Sequence, residues 1–140
     1  MKKGGDRLQV RDMEIVQEYI DVKFTPEVVR MFADIILNDE WMLAVFLYIS
    51  KRLKGSPSGV TVNDVTREVI INRPVKVVKG REISFETRDT EMTRHTAGKT
   101  LDKLLAMSLL TYRPVTPYKY YLLSPRGVQV LKEIANRLAE

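Results

Sequence analysis

Polar and apolar positions change period several times along this 140-residue chain, and each change marks an element. Ala97, Leu101, Leu104, Leu105 and Ser108 fall at i, i+4, i+7, i+8 and i+11, the stripe of a helix over about residues 91–110. On the opposite face lie His95, Thr96, Lys99, Asp102 and Lys103. The period then drops to two. Tyr118, Tyr120 and Leu122 alternate with Lys119, Tyr121 and Leu123, which predicts a strand paired with Thr111–Val115, a hairpin over about 111–123. Pro114 cannot donate to a ladder, so it marks an edge strand or a frayed strand end. Ser124 and Pro125 open a last helix as N-cap and first residue. Its apolar stripe is Val130, Leu131, Ile134 and Leu138.

Upstream, Asp39 and Glu40 precede an apolar run and Lys51, Arg52 and Lys54 follow it, charges placed as a helix dipole favours. Trp41, Ala44, Val45, Tyr48 and Ile49 share a face that Leu43, Phe46 and Leu47 widen, which predicts a largely buried helix. The segment from Gly55 to Gly59 stops it. Thr61 and Asp64 form a capping box opening a short helix to about Ile70. Thr25, Pro26 and Glu27 cap another helix to about Leu37, with Val28 or Val29, Phe32, Ile35 and Ile36 on its apolar side. Residues 8–24 fit a helix through Ile15, Val16, Tyr19 and Ile20, or a strand through Ile20, Val22 and Phe24.

Between the short helix and residue 91, Val75–Val78 and Ile83–Phe85 flank Lys79-Gly80-Arg81-Glu82, the pattern of a β-hairpin with strands near 75–79 and 82–86. A basic loop without regular structure, or a strand pair added to the other sheet, fits the same residues. As a hairpin, Val75, Val77, Ile83 and Phe85 would form an apolar face that needs cover. Gly98 costs its helix about 1 kcal/mol relative to Ala. It is expected to give room for a preceding helix or a phosphate.

Helices, a short-winged hairpin and a closing helix follow one another here in the order of a winged helix-turn-helix. Tyr121-Leu122-Leu123-Ser124-Pro125-Arg126-Gly127 resembles the strand-to-helix junction "Y-x-L-T-x-x-G" of MarR- and PadR-like prokaryotic transcription regulators. The resemblance covers residues 39–140 in pattern and order, and it is specific to a superfamily. It implies a mainly α fold with a small antiparallel sheet (α+β), a recognition helix within 91–110 and a wing within 111–123. Residues 39–140 would be the DNA-binding domain and residues 1–38 an extension. The extension or the terminal helix would pair subunits into a homodimer. One departure stands out: helices two and three of the motif are separated by three or four residues, and here roughly twenty intervene.

Charge sharpens the picture. Residues 73–132 hold 12 Lys/Arg against 5 Asp/Glu, whereas residues 1–72 hold 10 against 11, so the chain's excess of +5 lies in the hairpins and the helix between them. Such a footprint suits phosphate. Arg94, Lys99 and Lys103 are candidates for phosphates or bases, and His95 and Thr96 for base edges. Arg113 and Lys119, near the wing's base, and Lys76, Lys79 and Arg81 in the insert (with Arg73 and Arg88) are phosphate or minor-groove candidates. The expected partner is double-stranded DNA. A winged-helix module for protein contacts is the competing class, and Asp102 and Met107 are the residues that favour it.

Catalysis has little footing in these residues. A single histidine, no cysteine, and no glycine-rich nucleotide loop leave no constellation for a triad, a zinc site or a cofactor, so none is expected. The acidic pair Asp64 and Glu68 suits a solvated helix face. There is no apolar run near 18 residues to span a membrane, and MKKGGDR lacks the apolar core of a signal peptide. With no thiols, the chain suits a cytoplasmic, nucleoid-associated protein.

Overall fold

Capping chemistry sets most of the element boundaries in the computed structural model, which describes residues 21–55 and 58–140. Their order is α1 (Pro26–Leu37), α2 (Glu40–Gly55), α3 (Val62–Glu68), β1 (Ile70–Lys79), β2 (Glu82–Glu91), α4 (Arg94–Ala106), β3 (Leu110–Val115), β4 (Tyr118–Leu123) and α5 (Pro125–Leu138). The described chain is thus mainly helical, with two antiparallel two-stranded sheets, β1–β2 and β3–β4, and belongs to the α+β class. The reading of residues 8–24 falls mostly outside the described residues, as do Ser56 and Pro57 of the turn after α2.

Thr25 caps α1 by accepting from the Val28 N–H, and Ser124 caps α5 by accepting from that of Gly127; each is followed by proline. Both halves of the Thr61–Asp64 capping box are made. Asp39 accepts from the Met42 N–H at the start of α2. The helix expected over 91–110 is shorter at both ends. Thr93 caps it by accepting from Thr96, while at the other end Ser108 turns left-handed at φ 67°. Ser108 therefore leaves the apolar stripe and becomes a stop signal. The short helix also ends early, at Glu68, because Ile70 already belongs to β1.

One core gathers all five described helices. Val29, Ala33 and Ile36 of α1, Met42, Val45, Phe46 and Ile49 of α2, and Val65 of α3 meet Ala97, Leu101 and Leu104 of α4 and Val130 and Ile134 of α5. Ile35 and Leu138, expected on apolar stripes, are exposed instead, each at the edge of a stripe narrower than its sequence pattern. Trp41 and Tyr48 are half-buried, and Met42 and Phe46 fill the centre. The Tyr48 hydroxyl donates to Glu68, tying α2 to the end of α3. Burial, then this contact, pushes the Tyr48 phenol well above its ordinary value.

The β3–β4 hairpin is built into this core. Val60 and Tyr121 exchange both backbone hydrogen bonds, at 3.0 and 2.7 Å, so the chain two residues before α3 joins the open edge of β4. Gly59 precedes it at φ +111°, where a Cβ would stand 2.9 Å from that of Tyr120. Gly127 is tighter still: a Cβ there would lie 2.1 Å from the Leu109 carbonyl oxygen. By contrast, nothing lies within 4 Å of a Cβ on Gly98. The close helix approach expected there is absent, since α4 buries the faces of Ala97 and Leu101 instead.

Candidate nucleic-acid interface

Where α4 faces away from the core it presents Arg94, His95, Lys99, Asp102 and Lys103, all exposed. Among the described residues no ion pair engages any of these four basic side chains. Thr96 does not stand free on this face as expected. It is half-buried, and its hydroxyl accepts from Thr93 at 3.0 Å, a consequence of lying in the capped first turn. Arg94 reaches across to donate to Asn63 of α3.

Two features of this surface have no signal in local sequence. The Tyr121 hydroxyl, from β4, donates to Asp102 at 3.4 Å. Burial, and then the Asp102 carboxylate, pushes that phenol up to about 12. Asp102 is therefore tied to β4 by one oxygen, and Met107, half-buried against the core, is no exposed apolar spot. The two residues that dissented from a basic face thus both have structural roles. Asn63 is the second feature: beside it a cleft of about 220 Å³ is lined by Arg94, Thr61, Val62, Pro117, Tyr118, Lys119 and Tyr121.

A neighbouring cleft of about 260 Å³ runs between the N-terminus of α3 and β4, with Arg52, Arg67 and Tyr120 along it. Arg67 is occupied by Asp64, at 2.8 Å. Although burial works the other way, hydrogen bonds from Thr61 and Arg67 hold the Asp64 carboxyl below the usual carboxylate range. Arg52 ends α2, and its role beside β4 is not visible in a helix-dipole pattern.

Arg113 and Lys119 lie in the outer half of the β3–β4 hairpin, opposite Tyr120 and Pro114, and not at its base. The reason is register: Thr116 and Pro117 are the whole turn, so Val115 and Tyr118 already pair at the tip. Both cations lie over tyrosine rings, Arg113 at 5.8 Å from Tyr120 and Lys119 at 5.0 Å from Tyr112. Arg113 also donates to the Ser58 carbonyl at 2.9 Å.

The insert forms a hairpin of two ten-residue strands, longer than expected and separate from the β3–β4 sheet. Gly80, at φ +61°, and Arg81 make the turn. Its root is held by buried Ile71 and Met92 and by Trp41, whose indole N–H donates to the Asn72 carbonyl at 3.2 Å. The single apolar face expected from Val75, Val77, Ile83 and Phe85 does not form. Val78 pairs with Ile83 and Lys76 with Phe85, whereas Val75 and Val77 pair with Glu86 and Ser84. Cross-strand partners share a face, so the two pairs of apolar residues point to opposite sides. Lys76, Lys79 and Arg81 are exposed around this tip.

The fold thus brings Arg94, Lys119 and Asn63 to one cleft and keeps His95, Lys99 and Lys103 on the open face of α4. Lys76, Lys79 and Arg81 are set apart on the arm. No group of three His, Asp or Glu side chains that could hold a metal occurs among the described residues. None of the described helices is long and apolar enough to cross a membrane. Comparison with known protein families, curated proteins and solved structures finds nothing that matches this chain.

Proposed function

We propose that this chain is a sequence-specific, duplex-DNA-binding transcription regulator of the winged-helix kind. In this reading α2, α3 and α4 are the three helices of the motif, and β3–β4, extended by Val60, is the wing. The observation that carries it is the outer face of α4, where Arg94, His95, Lys99 and Lys103 are exposed and without acidic partners among the described residues. A helix so charged fits a major groove about 12 Å wide. Arg113 and Lys119 set the register on phosphates, and His95 contacts base edges.

The active species in this reading is a homodimer that spaces two α4 helices about 34 Å apart, one turn of DNA. Met31 and Ile35, one turn apart and exposed on α1, and exposed Leu138 on α5 are apolar surface available for that pairing. The working location is the cytoplasm, on the nucleoid.

Binding to labelled duplex at several salt concentrations tests the proposal. Log K is expected to fall by about 0.9 per phosphate neutralised for each unit of log salt. Lys99→Ala and Lys103→Ala should each lower that slope by about 1, and His95→Ala should relax sequence preference more than it weakens affinity. No binding at micromolar protein in low salt ends the proposal. A protein-contact module is the competing reading, and exposed Val78, Ile83 and Phe85 are what favour it.

A further inference from the structure

The free end of the β1–β2 arm concentrates two kinds of side chain that seldom share a surface without a purpose. Val78, Ile83 and Phe85 are 59, 60 and 70% exposed, and all three lie on one face, with Lys76 directly opposite Phe85. Residues 75–85 carry Lys76, Lys79 and Arg81 against Glu82, a net +2. The rooted part, 70–74 and 86–91, carries Arg73 and Arg88 against Glu86, Asp89 and Glu91, a net −1. Arg88 there is already paired with Glu86 at 2.8 Å. Positive charge and uncovered apolar area thus coincide at the tip.

A two-stranded hairpin with an exposed apolar face is marginal alone in water, so something of suitable chemistry should cover it. A second copy laid trio against trio would bring the three tip cations of each chain together as they lose water, an unfavourable meeting of like charges. A polyanion reverses that sign. Ten strand residues rise about 33 Å, long enough to leave the core and follow a groove, and β-ribbons enter the minor groove of DNA as well as the major. Apolar side chains flanked by Lys and Arg are how minor-groove binders part neighbouring base pairs.

We infer that the arm tip is an intercalating wedge: Phe85, with Ile83 and Val78, enters between base pairs of duplex DNA while Lys76, Lys79 and Arg81 hold the adjoining phosphates, and the duplex bends. The inference rests on the DNA-binding reading above and adds to it a deformation of the DNA. Bending would favour sites with a flexible pyrimidine–purine step under the arm, so the arm reads sequence through stiffness and makes no base-edge contact of its own.

The test uses the full chain and a duplex of about 30 base pairs with a central TA step and dyes on both ends. At saturating protein, energy transfer should report a bend of some tens of degrees. The double variant Phe85→Ala with Ile83→Ala should lose most of it. In a second variant, Phe85→Trp, emission should be quenched on adding unlabelled duplex by more than that of the parent chain, which has only Trp41, as expected of an aromatic ring stacked on bases. A bound duplex that stays straight, a double variant that bends it as the parent does, or Trp emission quenched no more than the parent's overturns the wedge. Binding is read separately from the anisotropy of a single dye. Absence of binding there removes the DNA reading itself, whereas binding without a bend removes only the wedge. If the double variant turns a DNA-free dimer into a monomer in sedimentation and still bends DNA, the face belongs to a second copy.

Discussion

Residues 110–123 and residues 70–91 each fold as a hairpin closed by two residues, Thr116-Pro117 in one and Gly80-Arg81 in the other. In the shorter one, β4 gains Val60 on its open edge, buries Tyr121 and runs into a serine cap packed under α4. The longer one is fixed at its root and leaves its outer half exposed, apolar residues included. Alternation along a strand decides which residues share a face. It does not decide whether that face is covered. Cover depends on what packs against the strands: β4 takes Val60 on its open edge and sends Tyr121 into the core, whereas β1–β2 is held at its root, by Ile71 and by Trp41 on Asn72.

The largest effect that can break this contrast sits at the root of the short hairpin. Gly127→Ala drives a Cβ into the Leu109 carbonyl and should cost more than about 3 kcal/mol. Thermal unfolding followed by circular dichroism should show a midpoint lower by about 10 °C or more, and a shift under about 2 °C would mean the root is less rigid than its packing. Tyr121 comes next. Its phenol, raised to about 12 by burial and Asp102, ionises more readily unfolded, where its pKa is near 10. That contribution is whole below pH 10 and is lost as pH rises from 10 to 12, by up to about 1.4 kcal/mol per pH unit. Tyr121→Phe should flatten the alkaline fall in stability measured by urea unfolding.

Smaller effects belong to the arm. Gly80→Ala places a side chain at φ +61° with open space around it, so only the backbone penalty of about 1 kcal/mol applies. Smallest of all, Phe85→Ala should change stability by less than about 0.5 kcal/mol, since the ring is mostly in water. A loss above about 2 kcal/mol there, at a concentration where the chain is monomeric, would show that the arm packs on its own domain.

Signals carried by near neighbours in sequence were legible. The Thr25-Pro26 and Ser124-Pro125 starts, the Thr61–Asp64 box, the β3–β4 limits and the turn at Gly80 all depend on residues a few positions apart. Face assignment in the insert misled, because Val77-Val78 is a doublet and only the turn fixes which of the two faces Ile83. Tyr121 with Asp102, Arg94 with Asn63 and Arg113 with Ser58 join residues 19, 31 and 55 positions apart. No periodicity encodes such meetings, since they exist only once α3, α4 and β4 have packed. The basic face of α4 was legible for the opposite reason: solvent-facing positions of a helix follow from its core stripe alone.

The pairing of Ile70 with Glu91 closes the arm where it leaves the core, between buried Val69 and buried Met92. Chain thus departs and returns at neighbouring points about 5 Å apart, as at a graft. Beyond the Asn72–Asp89 pair, past buried Ile71 and the Trp41 contact, the arm is free to lengthen, shorten or change composition while α3 stays against α4, because lengthening a closed loop costs only slowly growing entropy. The arm is an interchangeable limb on a fixed socket: a chain with Asn72 and Asp89 rejoined by a short turn should keep the rest of its architecture, and another ribbon spliced there would inherit its placement.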